Sequence, residues 1–86
     1  MKLKLEELPD NSWLELIRKQ ILFYNVAGEV PFIYQVNIKF EDGSKMSLNY
    51  ANVVEGADSY LVLTEHCGYY EVKKLGCKLR MKKMYT

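Results

Sequence analysis

The chain has 86 residues, 49% of them hydrophobic, and a formal net charge of +1. That length suits one domain, expected over residues 1–86, with a thin core and a net stability of ~5 kcal/mol. No apolar run approaches the ~18 residues of a membrane span, and no apolar stretch of signal-peptide type follows Met1-Lys2-Leu3-Lys4-Leu5, so a cytoplasmic location away from membranes is expected.

In chain order, Met1, Leu3 and Leu5 alternate with Lys2 and Lys4 as a short strand or one helical turn, and Pro9-Asp10-Asn11 breaks the chain. Ser12-Trp13-Leu14-Glu15 then fits a capping box, in which the Ser12 hydroxyl accepts the Glu15 N–H and the Glu15 carboxylate accepts the Ser12 N–H. Trp13, Leu14, Ile17, Ile21 and Tyr24 recur at helical spacing, with Glu15, Arg18 and Lys19 on the other side. The spacing predicts an amphipathic helix over about 12–25, ended by Asn25 or Gly28. At about three turns it needs tertiary packing to persist.

Past Pro31 the period changes to two. Tyr34, Val36, Ile38 and Phe40 alternate with Gln35, Asn37 and Lys39, and Met46, Leu48 and Tyr50 alternate with Lys45, Ser47 and Asn49. The turn between them sets their register. A two-residue turn at Asp42-Gly43 puts Phe40 opposite Lys45 and mixes the faces. A three-residue loop with left-handed Gly43 pairs Ile38 with Met46 and Val36 with Leu48, keeping both apolar sets together, and is preferred.

The second strand is expected to continue, bent, through Val53-Val54 to a turn at Glu55-Gly56-Ala57-Asp58. Tyr60 to Glu65 is the most apolar strand and the candidate for a central position. A two-residue loop in His66-Cys67-Gly68-Tyr69 sets Leu63 opposite Val72. In the last strand Cys77, Leu79 and Met81 point inward and Lys78, Arg80 and Lys82 outward. The fold class expected is α+β: one N-terminal amphipathic helix, then a 4–5-stranded antiparallel sheet or small β-barrel over about 32–83. An unpaired edge strand leaves room for a homodimer.

Residue types for catalysis are sparse. His66 is the single histidine, and adjacent Cys67 points the other way in an extended chain. A nucleophile–base pair also needs a third group to orient the base, and none is evident. Glu65, His66, Cys67 and Cys77 lack the paired spacings of a structural metal site. The acids of Glu6-Glu7 and Glu41-Asp42 read as solvated turn residues. Gly28, Gly43, Gly56, Gly68 and Gly76 match no phosphate-binding loop. No enzyme activity, metal or cofactor is expected. Two cysteines are too few for a disulfide framework and are expected as thiols in a reducing compartment.

Charge is the sharpest signal. Residues 1–72 carry six Lys/Arg against eleven Asp/Glu, a net −5, while residues 73–86 carry six Lys/Arg and no acid, a net +6. Lys73, Lys74, Lys78, Arg80, Lys82 and Lys83 are therefore the candidates for binding nucleic acid or an acidic protein surface. Tyr69, Tyr70 and Tyr85 are the candidate interface aromatics, since tyrosine buries area with few rotors. Lysines in a terminal strand serve equally well to block edge-to-edge aggregation.

Two partial likenesses bear on partners. One helix, a D-G hairpin, a long bent strand and two further hairpin strands, with Gly76-Cys77-Lys78-Leu79 against an Arg-Gly-x-x-Ile/Val motif, resemble Sm-like small barrels, which bind RNA. Leu75 stands where that motif has arginine. Val53 to Val72 (VVEGADSYLVLTEHCGYYEV) looks like the opening strands of LytTR-type DNA-binding domains. Either resemblance implies nucleic acid as partner, at the level of fold. The expectation is a small non-enzymatic binding module contacting nucleic-acid backbone through its basic C-terminal strand. The alternative is a small protein-binding regulator or inhibitor, of the phage-encoded kind, docking on a larger protein.

Overall fold

A computed structural model describes Trp13, residues 15–17 and residues 32–84. Trp13 and 15–17 are helical; the rest of the expected helix, the Ser12 cap and the N-terminal strand lie outside the described residues. Five strands follow: β1 (Tyr34–Phe40), β2 (Lys45–Glu55), β3 (Ser59–Thr64), β4 (Tyr69–Lys73) and β5 (Cys77–Lys83). They form one antiparallel open sheet in the order β4-β3-β2-β1-β5.

The first hairpin has the register that its hydrophobic pattern demands. Val36 pairs with Leu48 and Ile38 with Met46. Gly43 is left-handed at φ 93°, and the Phe40 N–H reaches the Ser44 carbonyl at 2.8 Å around the three-residue loop.

The second hairpin differs from expectation. Leu63 pairs with Tyr69, and Val72 with Tyr60. The cause lies in Thr64, whose buried hydroxyl donates to the Gly68 carbonyl at 2.5 Å and accepts the Cys67 N–H at 3.0 Å. These bonds close a longer loop over residues 65–67. The register moves by an odd number of residues, which transfers Val72 to the opposite face.

Strand β2 bends, as its length and the Val53-Val54 continuation lead one to expect. Between the Val36–Leu48 and Tyr34–Ala51 pairs it holds one residue more than β1. Tyr50 absorbs that residue at φ 52°, a left-handed conformation that costs a non-glycine residue about 1–2 kcal/mol. Alternation places Tyr50 in the core, but the bulge leaves it 38% exposed.

Strands β4 and β5 are consecutive in sequence yet occupy opposite edges. Flat, five strands would hold their edges roughly 19 Å apart. The four residue steps from Lys73 to Cys77 reach at most roughly 14 Å. The sheet must curl, and the Cys77 thiol accordingly donates to the Lys73 carbonyl at 3.0 Å. Gly76 makes this crossing with φ 89°, and its carbonyl accepts the Glu41 N–H at 2.8 Å.

Curling creates two cores. Inside the curl, Val36, Ile38, Ala51, Val62 and Val72 are buried together, and Tyr34, Phe40, Met46, Leu48, Val53, Cys77 and Leu79 pack against them. On the outer face Val54, Leu61 and Leu63 lie beneath Trp13, Ile17 and Phe32. Strand β3 is thus buried on both sides, which explains its nearly continuous apolar sequence. Trp13 packs so closely that a Cβ on Gly56 would stand 2.7 Å from its ring. Fully burying an aliphatic side chain of this kind is worth about 1.5–3 kcal/mol.

Candidate functional site

The remaining outer face belongs to β5, β1 and the first half of β2. Side-chain alternation on each strand, combined with the pairing, generates three cross-strand rows. The first is Lys78–Lys39–Lys45 and the second Arg80–Asn37–Ser47. The third begins Lys82–Gln35 and extends to Asn49 through a 3.0 Å bond from Gln35 Nε2 to Asn49 Oδ1. These nine positions hold five cations and no acid. All five cationic side chains are exposed.

The polar members are bonded to one another across the strands. The Ser47 hydroxyl donates to Asn37 Oδ1 at 2.9 Å, and Asn37 Nδ2 donates to Gln35 Oε1 at 3.3 Å. The Gln35–Asn49 bond completes a line of three amides and one hydroxyl. An open depression of about 890 Å³ lies at the Lys39 end, lined in part by Asn37, Lys39, Lys45, Ser47, Lys78 and Arg80. Glu41 also lines the depression, and Asp42 stands next to it at the hairpin tip. Asp42 is held below its ordinary carboxylate range by hydrogen bonds from the Ser44 side chain and backbone.

Of the residues singled out from sequence, Lys78, Arg80 and Lys82 are in this face. Lys83 follows them on the alternate side of β5, opposite Tyr34. Lys73 ends β4, the strand at the other edge of the sheet, and Lys74 follows it. Lys74 donates to Glu55 at 2.5 Å and lies 5.3 Å from the Tyr60 ring centroid. The Glu55 carboxylate raises the Lys74 pKa above the ordinary lysine value. Tyr69 and Tyr70 are exposed on β4, pairing with Leu63 and Val62 on opposite faces, so they form no common platform with the β5 cations. Tyr85 lies outside the described residues.

The sequence reading did not single out Lys39, Lys45 or the amide line. Their faces were legible from alternation in the first hairpin, but nothing local announces that β5 docks beside β1.

Elsewhere, His66 Nε2 lies 3.7 Å from Glu65 Oε2 on the exposed β3–β4 loop, and Cys67 and Cys77 are free thiols. Among the described residues no three His, Cys, Asp or Glu side chains converge as metal ligands, and no helix is long and apolar enough to cross a membrane. Comparison with known proteins gives no match: no family model fits the chain, and no curated protein or solved structure matches it.

Proposed function

We propose that the chain is a non-enzymatic binding module that holds nucleic-acid backbone on the outer face of β5, β1 and β2. The observation that supports this most directly is the row Lys78–Lys39–Lys45. Edge protection accounts for lysines on β5, an edge strand, and for Lys45, in the part of β2 that pairs with β1 alone, but not for Lys39 on β1, which is paired on both sides. Like charges directly opposite across strands are destabilising, so three in a row without an acid call for an anionic ligand. Phosphate supplies that charge at a regular spacing. The amides and Ser47 add donors and acceptors between the cations.

The test is fluorescence anisotropy with a labelled mixed-sequence oligonucleotide over a salt series. With all five cations engaged, the slope of log affinity against log salt is about −3.5 for a single strand and about −4.5 for a duplex. Lys39→Glu with Arg80→Glu lowers low-salt affinity on the order of a hundredfold and reduces the slope by about 2. Undetectable binding at low salt, or affinity indifferent to the two reversals, sinks the proposal.

The protein-binding reading has its own support in the exposed apolar side chains along the edges. Leu75, at the β4–β5 crossing, is 94% exposed, and Tyr69 is 41% exposed. A stoichiometric protein complex that survives high salt, with no oligonucleotide binding, favours that reading instead.

A further inference from the structure

We infer that the free edge of β5 is a docking site for an extended acidic peptide, which adds to the sheet as an antiparallel strand with acids and apolar residues in alternation. The inference uses three cations of the basic face but does not depend on what the rest of that face binds.

The backbone supplies the first half of the argument. Among the described residues β5 pairs with β1 alone. The Met84 N–H donates to the Ile33 carbonyl at 2.7 Å, and the Glu41 N–H to the Gly76 carbonyl at 2.8 Å. In an antiparallel ladder hydrogen-bonded and non-bonded pairs alternate. Stepping inward by twos from either bond, Lys78, Arg80 and Lys82 are the residues whose backbone groups face β1. The N–H and C=O groups of Leu79, Met81 and Lys83 therefore point away from β1, to the open edge. Such a row is a template for a further strand.

The side chains define what that strand must carry. Lys78, Arg80 and Lys82 line the outer side of the edge, all exposed. On the inner side Leu79 is half-buried and Met81 is 40% exposed, an apolar position left open where no strand lies beyond it. An added strand that bonds to the backbone of Leu79 and Met81 sets its alternate residues opposite Lys78, Arg80 and Lys82. Those are non-hydrogen-bonded pairs, in which side chains stand closest. Apolar side chains suit the first set. Carboxylates suit the second, since opposite charges attract across strands and a guanidinium takes a carboxylate in two parallel bonds. A second copy of β5 is disfavoured at this edge. Its backbone would bring Leu79, Met81 and Lys83 of the two copies together, and so would stand the outer cations opposite one another. The charges that keep copies apart thus select an acidic strand.

The experiment is fluorescence anisotropy with a labelled, end-blocked peptide, Glu-Val-Glu-Val-Glu-Val-Glu, in about 0.1 M salt, where the Debye length is about 10 Å. The chain binds it. A peptide of the same composition with Glu and Val in separate blocks binds on the order of tenfold more weakly. N-methylation of the Val residues, whose amides face β5, costs at least as much, whereas N-methylation of the Glu residues leaves binding in place. Lys82→Glu, at the edge, lowers affinity on the order of tenfold. Lys45→Glu, two strands and roughly 10 Å further in, has the smaller effect. Both residues are exposed, so neither variant disturbs the core. No binding of the alternating peptide, equal binding of the blocked or Val-methylated peptide, or equal losses in the two variants overturns the docking site. Self-association abolished by Lys82→Glu, without peptide binding, gives the edge to a second copy and overturns it too. Oligonucleotide affinity is read separately, so the backbone-binding role can fail while this site stands, and the reverse.

Discussion

The outer face of the sheet has two halves built on opposite terms. Across β3 and the second half of β2, Val54, Leu61 and Leu63 are covered by Trp13, Ile17 and Phe32, which are themselves buried. Across β5, β1 and the first half of β2, five cations and four polar side chains face outward, with no acid among those nine positions. The bulge at Tyr50 lies near the join. The same sheet, with the same pleat, is thus covered from within on one side and left open on the other. The first half contributes stability through apolar burial; the second places like charges opposite one another across its strands.

Substitutions in the two halves should therefore have effects of different kind and size. The largest stability loss is expected on the covered half. Leu63→Ala removes a fully buried side chain and should destabilise the fold by about 3 kcal/mol. This is measurable as a lower urea midpoint, with oligonucleotide affinity of the folded protein unchanged. A loss of under about 1 kcal/mol would show that the helix-side core is not closed as described.

On the bare half the sign should reverse. Lys39→Glu stands between Lys45 and Lys78 and turns two repulsive cross-strand pairs attractive. It should raise stability by a few tenths of a kcal/mol, on the order of an exposed pair after solvent screening, while weakening oligonucleotide binding. Lower stability in that variant would mean that the lysine row is not a source of strain, and the contrast between the halves would lose its basis.

The smallest effect belongs to the hairpin tip between them. Asp42 has its folded-state pKa depressed below the ordinary 3.8 by Ser44. Its contribution is present above the unfolded value and is lost as pH falls through the folded one. Asp42→Asn should therefore leave a shallower decline of the melting temperature below about pH 4, seen by thermal unfolding over an acid pH series. An unchanged acid limb would remove the Asp42–Ser44 bonds from any account of the turn.

Much of the fold was legible where the deciding chemistry is local. The alternation of Tyr34 to Phe40 and of Met46 to Leu48, with a glycine able to take φ 93° at position 43, determined a hairpin register that the structure reproduces. The second hairpin was not legible in the same way, because its register depends on Thr64 using its hydroxyl rather than on the hydrophobic pattern. Tyr50 was misplaced for a related reason, since alternation carries no notice of a bulge. Lys78, Arg80 and Lys82 were legible as a row because one strand contains them all. Lys39 and Lys45 belong to the acidic part of the sequence, where charge counting dilutes them.

By itself, then, the sequence determined which side chains of most strands share a face, since that follows from the two-residue period of the backbone. It also determined that positive charge concentrates near the C-terminus. Only the tertiary structure decided which strands are neighbours. A three-residue link between β4 and β5 curls the sheet, brings β5 alongside β1, and joins cations from three strands into one surface. Pairing between strands some forty residues apart is a property of the closed chain, and the basic face exists only once that pairing is made.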